Sequence, residues 1–241
     1  MYDEPIVSQI QLDKLAIFLK ETFLVQVETR DNILKFSKKD TAAKVLSCMI
    51  GDTKKPNKKN SSNETHDKIK DLKNEIQPIY DGFELQGIFT ELIPDKERLP
   101  DLFHVFFTDK LTCTFDYDDY RYHGRALIGA NPSIISTTGI IEAPAKSREY
   151  YFDLMTTQDM EAIKQKYKGT FLEYNDPRLS KIIEGYLLQA IFYFETGNAF
   201  CDKKECRLYN AHWQKELLDS QVKKERLCDA HQEVLKKLTM K

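Results

Sequence analysis

The sequence predicts an α+β fold, a mixed twisted sheet packed against helices. Three observations carry this. Residues 178–196 place Leu179, Ile182, Ile183, Tyr186, Leu187, Ala190 and Phe194 at alternating threes and fours, the spacing of one face of a long helix. Short apolar runs at 103–109, 122–129 and 133–141 have strand length and strand composition. Hydrophobic residues make up 41% of 241 residues, enough to bury a real core.

Taken in order, Ile6, Val7 and Ile10 suggest a first strand over 4–10. Leu12, Leu15, Ala16, Leu19 and Phe23 then fall at helical spacing, with Asp13 in the opening turn. Val25-Gln-Val-Glu-Thr alternates apolar and polar, so strand, helix and strand read as a βαβ unit. Asp40 caps a second helix carrying Ala43, Val45, Leu46 and Met49. Between Gly51 and Asn74 lies an insertion whose run Lys54-Lys-Pro-Asn-Lys-Lys-Asn-Ser-Ser-Asn-Glu has no apolar residue to offset its ordering entropy. Residues 76–94 hold Ile79, Tyr80, Phe83, Leu85, Ile88 and Phe89, core residues of either form.

A buried strand is expected at Phe103–Asp109, then a polar, aromatic connection from Thr112 to Tyr120. Asp116, Asp118 and Asp119 within it are not an EF-hand, which needs Gly at its sixth position and Glu at its twelfth. Tyr122–Gly129 and Ser133–Ile141 read as strands, and the charged stretch after Pro144 as a loop. Thr157 or Asp159 begins a helix through Met160, Ile163 and Tyr167 that Gly169 ends. Pro177 opens the long helix and Gly197 stops it.

Past Gly197 comes Cys201-Asp-Lys-Lys-Glu-Cys206, and later Cys228-Asp-Ala-His231. Two short loops with two ligands each suit one tetrahedral zinc, and Trp213, Leu217, Leu218 and Val222 suggest a helix that carries the second pair back to the first. The other reading is three buried cysteines and a surface histidine. Asp202, Lys203, Lys204, Glu205 and Asp229 make both loops polar, which fits core cysteines poorly. Four protein ligands leave no place for water, so the expected site is structural: one zinc on Cys201, Cys206, Cys228 and His231.

These residues resemble the archaemetzincins, which carry HExxHxxGxxH, then C-x4-C-x-M, then a downstream C-x2-C. Gly197, Cys201, Cys206, Cys228 and His231 fall on that frame, with Leu208 at the Met place and His231 at the last Cys. The fragments Phe-Cys-x4-Cys-Arg-Leu-Tyr-Asn-Ala-His-Trp-Gln and Ser-Thr-Thr-Gly-Ile-Ile-Glu-Ala-Pro also resemble an archaeal family labelled metallopeptidase by relation to archaemetzincins. The resemblance is tight over 190–231 and loose over 100–145. It implies a metzincin-like α+β domain over 1–197, interrupted near 51–74, and a zinc-binding segment over 198–241 packed on the same domain. It also implies a last, antiparallel strand over a catalytic cleft. Ala190, Ile191, Phe194 and Phe200 stand where that family has its three histidines and its general-base Glu, and no HExxH occurs in the chain.

A zincin needs two histidines one helical turn apart with a Glu between them, and Ala190, Ile191 and Phe194 can neither ligate nor take a proton. Other polar groups are weaker catalytic candidates. Tyr193 lies one turn from Gln189, with Glu195 nearby; His123 and Arg125 share one strand face, with Glu142 beyond the next strand; His212 adjoins Trp213. His104, in an apolar strand, reads as core, and His66 lies in the insertion.

A net charge of −2 argues against a general nucleic-acid binder, and no apolar run approaches the roughly 20 residues of a membrane helix. Five cysteines in no framework pattern and an N-terminus without a signal peptide's basic and apolar regions predict a cytoplasmic protein. The expected function is therefore that of a zinc-binding pseudoenzyme, a non-catalytic relative of metallopeptidases that holds a peptide or small-molecule ligand. The alternative is a peptidase-like hydrolase with a site rebuilt around His123, Tyr193 or Glu195.

Overall fold

The structure, a computed structural model, describes residues 1–3, 10–30, 40–56 and 77–240. Strand β1 (Tyr2–Asp3) is followed by helices α1 (Leu12–Phe23) and α2 (Asp40–Ser47), strand β2 (Ile79–Asp81) and helix α3 (Gly82–Leu92). Strands β3 (Val105–Thr108), β4 (Leu111–Asp116), β5 (Arg121–Arg125), β6 (Leu127–Ile128) and β7 (Ser133–Ser136) come next. Helices α4 (Thr137–Glu142), α5 (Arg148–Thr156), α6 (Met160–Tyr167), α7 (Leu179–Thr196), α8 (Gln214–Leu218) and α9 (Asp229–Thr239) follow, with a π-helical turn at Asp219–Lys224. Two compact units divide the chain: Met1–Ile6 with Glu28–Ile140, and Val7–Val27 with Ile141–Lys241. The boundary at 197/198 expected from the sequence lies inside the second.

In the first unit the strands form two small mixed sheets, ordered β1-β3-β7-β6 and β2-β4-β5. β1, β3 and β7 are parallel, with β6 antiparallel on β7; β2 and β4 are parallel, with β5 antiparallel on β4. Every residue of β3 and β7 is buried, which is why both read as continuous apolar runs rather than alternations. Phe106 of β3 is stacked between Tyr2 and Phe89, with ring centroids 4.3 and 4.7 Å away. Val45, Leu85, Ile93, Ile128 and Ile134 pack in the same cluster. The chain leaves one sheet for the other at Ala126, whose carbonyl accepts from the Ser136 N–H at 2.9 Å. Gly139 of α4 presses on this crossing: a Cβ there would run into the backbone of Arg125 and Ala126.

Several expectations are corrected here. Val25–Thr29 is not a strand; none of it is buried, so its alternation has no layer to serve, and only Arg30 forms an isolated parallel bridge, to Tyr2. The polar connection at 112–120 is instead β4 and the tip of a hairpin, because Thr112, Cys113 and Thr114 are buried under cover the sequence does not announce. Strand 133–141 stops at Ser136 and continues as α4. Its strand lies inside the sheet between β3 and β6, so the antiparallel edge is β6. The expected strand at 122–129 breaks at Ala126 into two. Residues 76–94 resolve into β2 and α3, with Asp81 capping the helix through the N–H groups of Phe83 and Glu84. Residues 51–56 are exposed loop; the rest of the insertion to residue 74, most of the expected strand at 4–10 and His66 lie outside the described residues.

In the second unit α1 forms where predicted and buries Leu12, Leu15, Ala16, Leu19 and Phe23. α6 starts from Asp159, whose carboxylate accepts the Ala162 N–H, and Gly169 follows it with φ +76°. The expected charged loop after Pro144 becomes α5 from Arg148, because Ser147 accepts the Tyr150 N–H at 3.2 Å; no residue of α5 is buried. α7 begins at Leu179, later than Pro177, after the Asp176 carbonyl takes the Leu179 N–H. Its middle is enclosed on every side, from Gly185 to Ala190, rather than on one stripe, and Phe194 is only half-buried. Among the described residues no helix is long and apolar enough to cross a membrane.

Candidate metal centre

α7 ends at Gly197, which takes φ +75° and donates its N–H to the Tyr193 carbonyl at 2.8 Å. The chain then folds into a tight loop. The Cys201 N–H bonds to the Leu208 carbonyl at 2.9 Å, and the Cys206 N–H to the Lys203 carbonyl at 2.9 Å. Two N–H groups turn onto sulfur: Lys203 onto Cys201 Sγ at 3.4 Å and Leu208 onto Cys206 Sγ at 3.5 Å. The second pair arrives through α8 and the π-helical turn, and a bond from the Arg207 N–H to the Arg226 carbonyl at 2.7 Å pins its return. Cys228 occupies the N-cap position of α9, and its own N–H points at Cys206 Sγ at 3.4 Å. His231 lies in the first turn of that helix.

The ligand atoms of Cys201, Cys206, Cys228 and His231 all lie within 4.8 Å of one another. Cys201 and Cys228 sulfurs are 3.9 Å apart; His231 Nδ1 is 3.8 Å from Cys206 Sγ and 3.1 Å from Cys228 Sγ. A tetrahedral zinc with bonds of about 2.3 Å to sulfur and about 2.0 Å to nitrogen has edges of roughly 3.5–3.8 Å; the 3.8 and 3.9 Å edges lie close to that, and His231 has to move a few tenths of an ångström from Cys228 to complete it. N–H groups aimed at sulfur favour the thiolate form, and a helix start favours a negative group at Cys228. Burial pushes the Cys206 thiol up to about 12. At Cys228 burial acts in the same direction but is outweighed by hydrogen bonds from the His231 N–H and ring, which bring it to about 6. A dication exchanged for the thiol protons removes that difference.

Residues the sequence did not single out support the site. The Phe192 ring meets His231 edge-on at 5.7 Å and is itself buried. Arg207, between the ligand Cys206 and Leu208, is buried; its guanidinium donates to the Lys181 carbonyl at 2.8 Å and Glu184 at 3.0 Å and lies over the Phe18 ring. That ties the cysteine loop to α7 and α1.

The other candidates are scattered. His123 and Arg125 share a face of β5, but His123 bonds to Asp119 at 2.9 Å and Arg125 to the Thr114 hydroxyl at 2.8 Å. Asp116, Asp119 and His123 also come within 4.8 Å of one another, at the solvent-facing tip of the β4–β5 hairpin, where Asp119 additionally takes Arg121 at 2.6 Å. Glu142 ends α4 and is exposed. Gln189 is buried in α7, with its amide nitrogen 3.4 Å from the Tyr209 carbonyl. Tyr193 and Glu195, in the last turns of that helix, face solvent. His212 is exposed and contributes its carbonyl to the Ala145 N–H at 2.8 Å. His104 is core as expected, bonded to the Tyr2 hydroxyl and the Glu97 carbonyl. Phe200, at the position of the family's third histidine, is 41% exposed.

Together these features define an α+β chain, mixed sheets with helices, with a Cys3His quartet near its C-terminal end that could hold a metal ion. The Probable metallopeptidase family (DUF6775) matches residues 1–238, and the chain belongs to that family. The resemblance to archaemetzincin-related metallopeptidases read from the sequence is therefore borne out at the level of family. Archaemetzincin from Methanopyrus kandleri is a similar solved structure, with TM-score 0.49 and 12% identity over 100% of this chain and 93% of that one. Among curated proteins none matches.

Proposed function

We propose that this chain is a zinc-stapled member of its metallopeptidase family that binds a peptide or small molecule without cleaving it, inside a reducing compartment such as the cytoplasm. The convergence of Cys201, Cys206, Cys228 and His231 carries the reading. Three sulfurs and an imidazole select zinc over magnesium or calcium, and one ion with four protein ligands has no position for a reactive water. Ala190, Ile191 and Phe194 offer α7 neither a metal ligand nor a base. None of the five cysteines is joined in a disulfide, in keeping with a reducing interior. Purified protein is expected to hold one zinc per chain and to leave casein and aminopeptidase substrates intact with zinc added. Chelator-sensitive cleavage by pure protein would overturn the non-catalytic part; metal-free protein with all three tail thiols freely reactive would overturn the staple.

The second reading is a peptidase-like hydrolase rebuilt around His123, Tyr193 or Glu195. It draws on the family's description and on the His123–Asp119 pair, which resembles an oriented base. If it holds, His123→Ala removes a measurable hydrolysis; if no hydrolysis is found, it is discarded.

A further inference from the structure

The second compact unit contains a cavity of about 800 Å³ between the start of α5, the end of α6 and the segment from Trp213 to Lys223. That volume lies within the range of small-molecule sites, roughly 300–1,000 Å³. Its walls are Tyr167, Phe171, Trp213 and Leu218, flat and apolar surfaces suited to an aromatic or aliphatic body. The charges around it sort into two groups. Arg178 is held by Asp176, Lys223 by Asp219, and Glu216 by Lys204. Glu149 is turned to its own helix start, where backbone N–H and the Ser147 hydroxyl hold its carboxyl below the usual range. Arg148 and Lys215 line the cavity and make no side-chain hydrogen bond or close ion pair among the described residues, though Arg148 feels the charge of neighbouring Glu149. Lys146, next to the lining residues Ala145 and Ser147, holds its ammonium 4.4 Å above the Phe171 ring.

The geometry points to a binding site for a small organic carboxylate with an aromatic or aliphatic body. The body lies against Trp213 and Phe171, and the carboxylate faces Arg148 and Lys215. Charge complementarity favours an anion: apolar walls accept any uncharged body, but two cations without a hydrogen-bonded carboxylate reward a ligand that brings one. This gives the binding role proposed above a place and a ligand class, and rests on that role.

Trp213 is the chain's single tryptophan, so its fluorescence reports on the cavity alone. Zinc-loaded full-length protein titrated with phenylbutyrate is expected to show a saturable change in that emission. Phenylbutanol, with the same body and no charge, should bind about five- to tenfold more weakly, the size of one charge-assisted hydrogen bond in a part-exposed site. Arg148→Ala with Lys215→Ala should bring phenylbutyrate down to the level of the alcohol and leave the alcohol unchanged; both side chains are exposed, so the variant keeps its fold. A titration without saturation, equal affinity for acid and alcohol, or a double variant that binds the acid as well as wild type each overturns the site. Peptide cleavage measured on the same sample separates the two proposals. Cleavage with saturable binding removes only the non-catalytic reading, whereas a flat titration without cleavage removes only this site.

Discussion

Phe106 and His231 show two ways of holding a fold. Around Phe106, rings stack at 4.3 and 4.7 Å inside a cluster of buried aliphatic side chains, and the strand that carries it is buried throughout. Around His231 no residue of α9 is fully buried; the helix packs against α1, keeps Val234, Leu235 and Leu238 half-buried, and meets the cysteine loop at its first turn through Cys228 and His231. One region is held by the area it removes from water; the other, on the proposed reading, is held in large part by a few directed bonds to an ion. The first should respond to loss of volume and ignore chelators; the second should do the opposite.

The largest expected effect is metal removal. Structural zinc in small domains contributes apparent free energies of about 10–16 kcal/mol, most of it coupled to folding. EDTA, or Cys206→Ser, should abolish stoichiometric zinc and raise hydrogen exchange across 198–212 and 225–240, while amides of β3 and β7 stay protected. Cys48→Ser and Cys113→Ser should keep the zinc. Residues 214–222 should loosen less, because Gln214, Leu217, Leu218 and Ser220 are buried in their own right. Uniform loosening of the whole chain on chelation would erase the contrast between the two regions.

Next comes Phe106→Ala, which should destabilise the sheet unit by about 3–5 kcal/mol in denaturant unfolding, with zinc content per folded chain unchanged. Loss of zinc in that variant would show the staple to depend on the aromatic stack. Arg207→Ala should follow at about 2 kcal/mol, since it removes a buried guanidinium that bonds to the Lys181 carbonyl and Glu184, leaves Glu184 to Lys181 alone, and unties the cysteine loop from α7. Its distinguishing readout is faster zinc transfer to a competing chelator.

The smallest effect concerns acid. Burial pushes the Asp176 carboxyl up, but the Arg178 fork and backbone N–H groups outweigh it and hold it below its ordinary value. The sign follows: stability from this pair is present above about pH 4 and is lost as pH falls through the lower folded value. Asp176→Asn should cost about 1 kcal/mol near neutral pH and nothing in strong acid. Equal destabilisation at both pH values would assign the loss to packing.

What the sequence disclosed follows from how local each cause is. α1 and α6 were legible because a stripe of apolar residues or a capping Asp is written within one turn. The convergence of Cys201, Cys206, Cys228 and His231 was legible because thiols in polar loops are chemically unusual, whatever surrounds them. Val25–Thr29 misled because alternation specifies a strand only where one face is covered, and here neither is. Thr112–Thr114 misled in the opposite direction, since polar side chains take cover from partners distant in sequence: the Thr112 hydroxyl bonds to the Arg125 carbonyl and Thr114 receives Arg125. Phe192 and Arg207 left no local signal. Phe192 lies off the apolar stripe, and Arg207 reads as a surface charge until Glu184 and Phe18 are brought to it.

The quartet also has a topological consequence. Its ligands come in two pairs, with residues 207–227 strung between Cys206 and Cys228. An ion gripping both pairs closes that segment into a ring in the folded chain, as a crosslink would, and the ring opens when unfolding releases the ion. A single peptide-bond cut between Arg207 and Leu227 would therefore leave the two fragments joined through the ion. They would come apart, α9 with the shorter piece, once the ion is withdrawn under denaturing conditions.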